Sequence, residues 1–185
     1  MQIKGTSIIS MKKCVYQRFG KDGLDRLRDA LPRGPRELLG GTVLANNWYP
    51  ARDGMFVPTE AVCRLFYGGD PRGAWEIGAF SAQDSLRGIY RFFVRIATVP
   101  FLLQKTSSLF STYYTPGRME VAEQTPHRIL LRMTGVDESH PLFEARIGGY
   151  LHGALQVCGN EDHRVGIGAS IARGDPATEF IIDLP

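Results

Sequence analysis

The sequence predicts an α+β fold in which N-terminal helices precede a β-β-α-β-β unit built on a four-stranded antiparallel sheet. Three observations lead there. Apolar residues recur at helical spacing through the first two-thirds of the chain. Short runs rich in β-formers replace them after Thr115-Pro116-Gly117. One long, glycine-loaded apolar helix then divides those runs into two pairs.

Ile8, Met11, Val15 and Phe19 mark a first helix that stops at Gly20, and Leu24, Leu27 and Leu31 a second that ends at Pro32. Residues 32–58 are rich in Pro, Gly and Asn and read as loop with short helical turns. Thr59 is placed to cap a helix running through Tyr67, and Gly68-Gly69-Asp70-Pro71 is a turn. A further helix runs from Pro71 towards Phe80. Ser81 with Asp84 then has the spacing of a capping box that opens another, and Pro100 kinks or restarts the helical run towards Tyr114. Met119–Glu123 and Ile129–Thr134 read as a hairpin, and Val165–Ile171 with Glu179–Asp183 as a second strand pair.

Between the pairs lies the glycine-rich helix, opened by Pro141 and stopped by Gly159. Each interior glycine costs about 1 kcal/mol relative to alanine, so Gly148, Gly149 and Gly153 are expected to serve packing. Ala145, Gly149 and Gly153 fall four apart on one face, while Ile147, Leu151, Ala154 and Cys158 form an apolar stripe on the other. Such a helix is expected to be covered on both sides.

Composition restricts the function classes. The 185 residues suffice for one well-buried core, so residues 1–185 are read as a single domain. A net charge of +3 is too mild to point to nucleic acid. Cys14, Cys63 and Cys158 are odd in number and widely spaced, which argues against a disulfide framework or a zinc site and for a reducing, cytoplasmic setting. The longest apolar stretch, Phe92 to Leu103, is broken by Arg95 and Pro100, so no transmembrane segment is expected.

The middle of the chain is dense in aromatics. Trp48, Tyr49, Trp75, Phe80, Tyr90, Phe93, Phe101, Tyr113 and Tyr114 are the expected lining of a pocket for an apolar small molecule or lipid, although an ordinary helical core uses the same residue types. Arg87, Arg91 and Arg95 recur every fourth residue and share a helix face. That column suits an anion or an acidic protein partner, or is simply a solvated surface. His152, Cys158 and His163 near the end of the glycine-rich helix offer two metal ligands at a time where a structural site uses four, so no metal is expected. No acid, base and nucleophile constellation is visible, and the chain is read as non-enzymatic.

The segments KGTSII, NNWYP, AWEIGAFSAQDSLRGIYRFFVRIATVPFLL, STYYTPGRMEV and ARGDPATEF resemble the ligand-binding superfamily shared by 4-vinyl reductase domains, haem NO-binding domains and transport-particle (TRAPP) subunits, closest to an uncharacterised bacterial 4-vinyl-reductase-like family. The resemblance implies a sensory or small-molecule-binding module. Its alternative, after the TRAPP subunits, is a protein-protein assembly adaptor without a ligand. It also implies pairing through the helices, hence a homodimer near Trp48 or the Phe101 to Tyr114 segment. Two departures narrow the chemistry. Many 4-vinyl reductase domains carry cysteines where this chain has the run Ser170 to Phe180, which has none. Haem NO-binding domains hold iron with a histidine from the helical region and the propionates with a Tyr-x-Ser-x-Arg motif. Here no histidine precedes His127, and Tyr114-Thr115-Pro116-Gly117-Arg118 lacks the serine and lies ahead of the first strand. No cofactor is therefore expected.

Overall fold

The computed structural model describes residues 1–86, 110–160 and 162–185. Strand β1 (Gln2–Lys4) leads directly into helix α1 (Gly5–Asp29), whose backbone departs from helical geometry at Gly20 (φ 70, ψ −170). The positive φ needs a residue without Cβ, so the two helices expected from the apolar spacing meet at a kink where the sequence placed the break. Helix α2 (Arg33–Gly40), strand β2 (Trp48–Pro50) and a π-helical turn at Arg52–Phe56 fill the stretch expected as loop and short turns.

Helix α3 (Val57–Tyr67) starts two residues ahead of Thr59, so Thr59 is not its cap. The buried hydroxyl instead accepts a hydrogen bond from the Arg146 guanidinium at 3.0 Å. Helix α4 (Arg72–Leu86) is continuous where two helices were expected. The Ser81 hydroxyl donates to the Ile77 carbonyl at 2.8 Å, one turn back, so the side chain is satisfied within the helix rather than capping a new one.

Strand β3 (Tyr114–Thr115) joins β1 and β2 in a small antiparallel sheet of order β2-β1-β3. The main sheet has the order β4-β5-β7-β6, from β4 (Arg118–Gln124), β5 (Arg128–Thr134), β6 (Arg164–Ile167) and β7 (Thr178–Asp183), every pair antiparallel. A register shift between Val121 and Glu123 interrupts the edge strand β4. Strand β6 stops short of the expected Ile171, which opens a 3-10 turn (Ile171–Arg173) and donates its N–H to Thr178 Oγ1 at 3.1 Å instead of to a ladder.

Alternation decides the faces. Ile129, Leu131 and Met133 of β5 and Phe180 and Ile182 of β7 are fully buried, while Arg132–Glu179 and Arg128–Asp183 pair on the opposite face. Helix α5 (Pro141–Val157), the glycine-rich helix, packs Phe143, Ile147, Leu151 and Leu155 into the same core. Its small face meets α4 backbone to backbone. A Cβ at Gly149 would lie 2.0 Å from the Trp75 carbonyl oxygen, one at Gly153 2.6 Å from that of Ala79, and one at Gly78 on α4 2.0 Å from that of Arg146. The expectation of a helix covered on both sides holds, and the glycines are the reason α4 and α5 can approach so closely.

Candidate functional site

A cavity of about 300 Å³ opens where the first turns of α1 meet the C-terminal half of α4, helix α5 and the segment from Phe110 to Met119. Helical spacing puts Arg146 and Tyr150, and Ile147 and Leu151, one turn apart on α5, so four cavity positions come from one face of one helix. Ile9, Phe110 and Met119 complete an apolar wall, and Ile9 and Tyr113 are exposed where the cavity meets solvent. Helix α4 contributes Gly78, Ser81, Asp84 and Ser85. Of these, Ser81 is bonded to Ser10 at 2.9 Å, and Asp84 is paired with Lys13 at 2.6 Å.

The chemistry of the cavity centres on Arg146, which is 4 % exposed. Its guanidinium donates to Thr59 Oγ1 at 3.0 Å, to Ser7 Oγ at 3.1 Å and to the Ser7 carbonyl at 3.4 Å. Burial pushes it below the usual arginine value, and nearby Tyr114, Cys14 and Cys63 oppose that shift. A guanidinium nevertheless stays charged in proteins. Burial likewise raises the phenols of Tyr114 and Tyr150, against hydrogen bonds with Ser7 and Ser85, so both remain neutral donors. The Thr6 hydroxyl, on the same wall, is buried with no hydrogen-bond partner among the described residues.

Of the aromatics singled out in the sequence, Tyr113 and Tyr114 line this cavity. Four others have different work. Trp48 is exposed with the Lys4 ammonium 4.0 Å above its ring, and the Tyr49 hydroxyl accepts from the Leu44 N–H at 2.9 Å. Trp75 lies against the gap left by Gly148, and Phe80 packs on the core. Tyr90, Phe93 and Phe101, with the arginine column Arg87, Arg91 and Arg95, lie outside the described residues. Sequence reasoning missed Arg146, Thr6 and Tyr150. The available signal was a lone arginine amid the small and apolar residues of a helix predicted to be covered on both sides.

Two further polar clusters are structural. Glu144, buried at the start of α5, accepts from Ser139, Ser170, Thr178 and the Ala172 N–H, which clamps the 3-10 turn to the helix. Ser170 and Thr178 thus hold this carboxylate in the run where cysteines were looked for. His163 Nδ1 lies 2.6 Å from the Asn160 carbonyl and donates to it, and its Nε2 shares a hydrogen bond with His152 Nδ1 at 2.8 Å. No group of three or more His, Cys, Asp or Glu side chains suited to a metal occurs among the described residues.

No protein-family model matches the chain, and no curated protein does. Solved structures do. An H-NOX protein from S. oneidensis in the Fe(II)NO ligation state matches with a TM-score of 0.74 at 15% identity, covering 99% of each chain. This chain has the H-NOX, or haem NO-binding, fold. The Shewanella oneidensis H-NOX domain in the Fe(II)CO ligation state matches with a TM-score of 0.70 at 15% identity and 99% coverage of both. An Fe(II) unliganded H-NOX protein from K. algicida gives 0.67 at 13% identity, over 99% of this chain and 97% of that one.

At such identities the likeness is one of fold, so the haem is tested on this chain's own donors. Protein ligands to haem iron are His, Cys, Met or Tyr. None of the four histidines lines the cavity. His127 contacts the Pro185 carbonyl, His140 caps α5, and His152 and His163 hold each other. Residues 87–109 contain no His, Cys or Met and one Tyr, Tyr90. The donors of these types on the cavity are Met119 and the tyrosines Tyr113, Tyr114 and Tyr150, and burial raises the phenols of Tyr114 and Tyr150, which disfavours the phenolate that iron binds. Among the described residues, this H-NOX-fold cavity offers no histidine or cysteine to a haem iron.

Proposed function

We propose that the protein is a non-enzymatic sensory or small-molecule-binding module that buries an apolar ligand in the cavity between α1, α4 and α5. The observation that carries the reading is the cavity. About 300 Å³ of space is walled mainly by Ile9, Phe110, Met119, Ile147, Leu151 and three tyrosines, beside a helix pair packed closely enough to exclude a methyl group. Apolar walls with a few placed polar groups are the usual make-up of a ligand site, and this volume is at the small end of the ~300–1,000 Å³ range for such sites. The H-NOX neighbours are described in distinct ligation states, which agrees with a ligand-holding use of the fold. The polar groups at hand do not form a nucleophile–base pair among the described residues: Ser10 and Ser81 bond each other, and Asp84 is held by Lys13. Occupancy acts on function by stabilising one conformation of the cavity walls over others.

The test uses N-phenylnaphthylamine, a neutral apolar probe whose fluorescence rises on burial. Saturable, stoichiometric uptake is expected, abolished by Ile147→Trp, which fills the cavity. Absence of uptake by wild type, together with no small molecule extractable from the native protein, refutes the reading.

A further inference from the structure

Arg146 carries a charge that no carboxylate within reach neutralises among the described residues. Its partners, Thr59 and Ser7, are uncharged acceptors, and they leave part of a five-donor fork free. Residues 87–109 do not supply the counter-charge, because they hold Arg87, Arg91, Arg95 and Lys105 and neither Asp nor Glu. A buried cation without an anion is strongly disfavoured, and an incoming anion relieves it. Other donors gather on the same cavity. The Thr6 hydroxyl is buried without a partner among the described residues, and the Tyr114 phenol is next to Ser7. The opposite wall, with Ile9, Phe110, Ile147 and Leu151, is apolar.

We infer that the ligand is an amphiphilic monocarboxylate, its carboxylate seated on Arg146 with Thr6 and Tyr114 and its apolar body lying along Ile147 and Leu151. The inference deepens the ligand-binding reading above and rests on it. One guanidinium matches one negative charge in bidentate fashion, whereas a phosphate monoester brings close to two. The cavity volume favours a medium-length alkyl chain or an aryl group over a long lipid.

Decanoate, carboxyl-labelled with carbon-13, decanol and decyl phosphate are titrated into the protein by calorimetry, and the bound carboxyl is titrated by NMR. Decanoate is expected to bind at least about tenfold tighter than decanol at neutral pH, as a charge-assisted hydrogen bond allows. Its bound carboxyl is expected to titrate below its value in buffer. Arg146→Met removes the preference. Should that variant fail to fold, Thr6→Val is expected to weaken decanoate several-fold and leave decanol unchanged. Equal affinity for decanoate and decanol, tighter binding of decyl phosphate, or a bound carboxyl that titrates at or above its free value overturns the inference while leaving a ligand site in place. Failure of both decanoate and decanol to bind overturns it too, and exclusion of the naphthylamine as well removes the ligand-binding reading with it.

Discussion

Replacing Gly149 by alanine adds one methyl group where there is no space for it. The new Cβ would lie 2.0 Å from the Trp75 carbonyl oxygen and 2.7 Å from its carbonyl carbon. These are backbone atoms of α4, so no rotamer change relieves the clash. A C···O contact normally rests near 3.3–3.6 Å, and α4 and α5 must therefore separate by roughly an ångström. That movement also opens the approaches of Gly153 to Ala79 and Gly78 to Arg146. Overpacking costs about 1–3 kcal/mol, and disturbing three backbone contacts at once places this variant at the upper end. The better helix propensity of alanine returns about 1 kcal/mol, for a net loss of about 2 kcal/mol. For a chain of this size, each kcal/mol lowers Tm by about 2–4 °C, so a fall of roughly 4–8 °C is expected by calorimetry. Gly166→Ala is the control, since a Cβ there meets nothing within 4 Å. Gly78→Ala strains the same seam from the other side, so the double variant should cost less than the sum of its parts. A Gly149→Ala protein that melts at or above wild type would show that the helices are not held at this distance.

Glu144→Gln puts an amide among four donors and should cost about 2–4 kcal/mol in urea denaturation. Faster hydrogen exchange at the Ala172 N–H should accompany it, and an unchanged midpoint would mean the clamp does not bear on stability. Burial raises the Cys14 thiol from its ordinary 9.0 to about 11. The unfolded chain therefore ionises first, and the contribution of this thiol is complete below pH 9.0 and lost as pH rises through about 11. Cys14→Ala should flatten the alkaline fall in stability, and an identical pH profile for both proteins would contradict the assignment. Hemin added to the purified protein should give no stoichiometric Soret band, whereas a sharp band abolished by substituting one histidine would overturn the donor argument.

The architecture was legible because its largest elements announce themselves locally. Short runs of β-formers gave both strand pairs, and Pro141 and Gly159 bracketed α5 within about two residues. What stayed hidden was non-local. The sheet β2-β1-β3 is assembled from strands of two or three residues near positions 2, 48 and 114, too short for any periodic signal. The capping readings of Thr59 and Ser81 failed because each hydroxyl had another partner, Arg146 across the core for one and the Ile77 carbonyl within the helix for the other. The cavity was half legible. Tyr113 and Tyr114 came from aromatic density, but the same criterion selected Trp75 and Phe80, which pack elsewhere. Arg146 was passed over because a single charged residue in an apolar helix has no spacing to recognise. Its meaning comes from Ser7 and Thr59, brought to it from 139 and 87 residues away.

Side chains between two helices act as springs, since a small displacement of one helix is taken up by rotamer adjustment before it reaches the other. The seam between α4 and α5 has no such slack, because carbonyl groups of one helix rest where the other has only glycine. Arg146 sits on that seam with its carbonyl oxygen at Gly78 and its guanidinium at the cavity. With the two backbones in contact, a displacement of α5 at Arg146 meets no side-chain layer that could absorb it before α4. The glycines that bring two helices together thereby join them into a single rigid unit, one that carries Arg146 and the cavity wall with it.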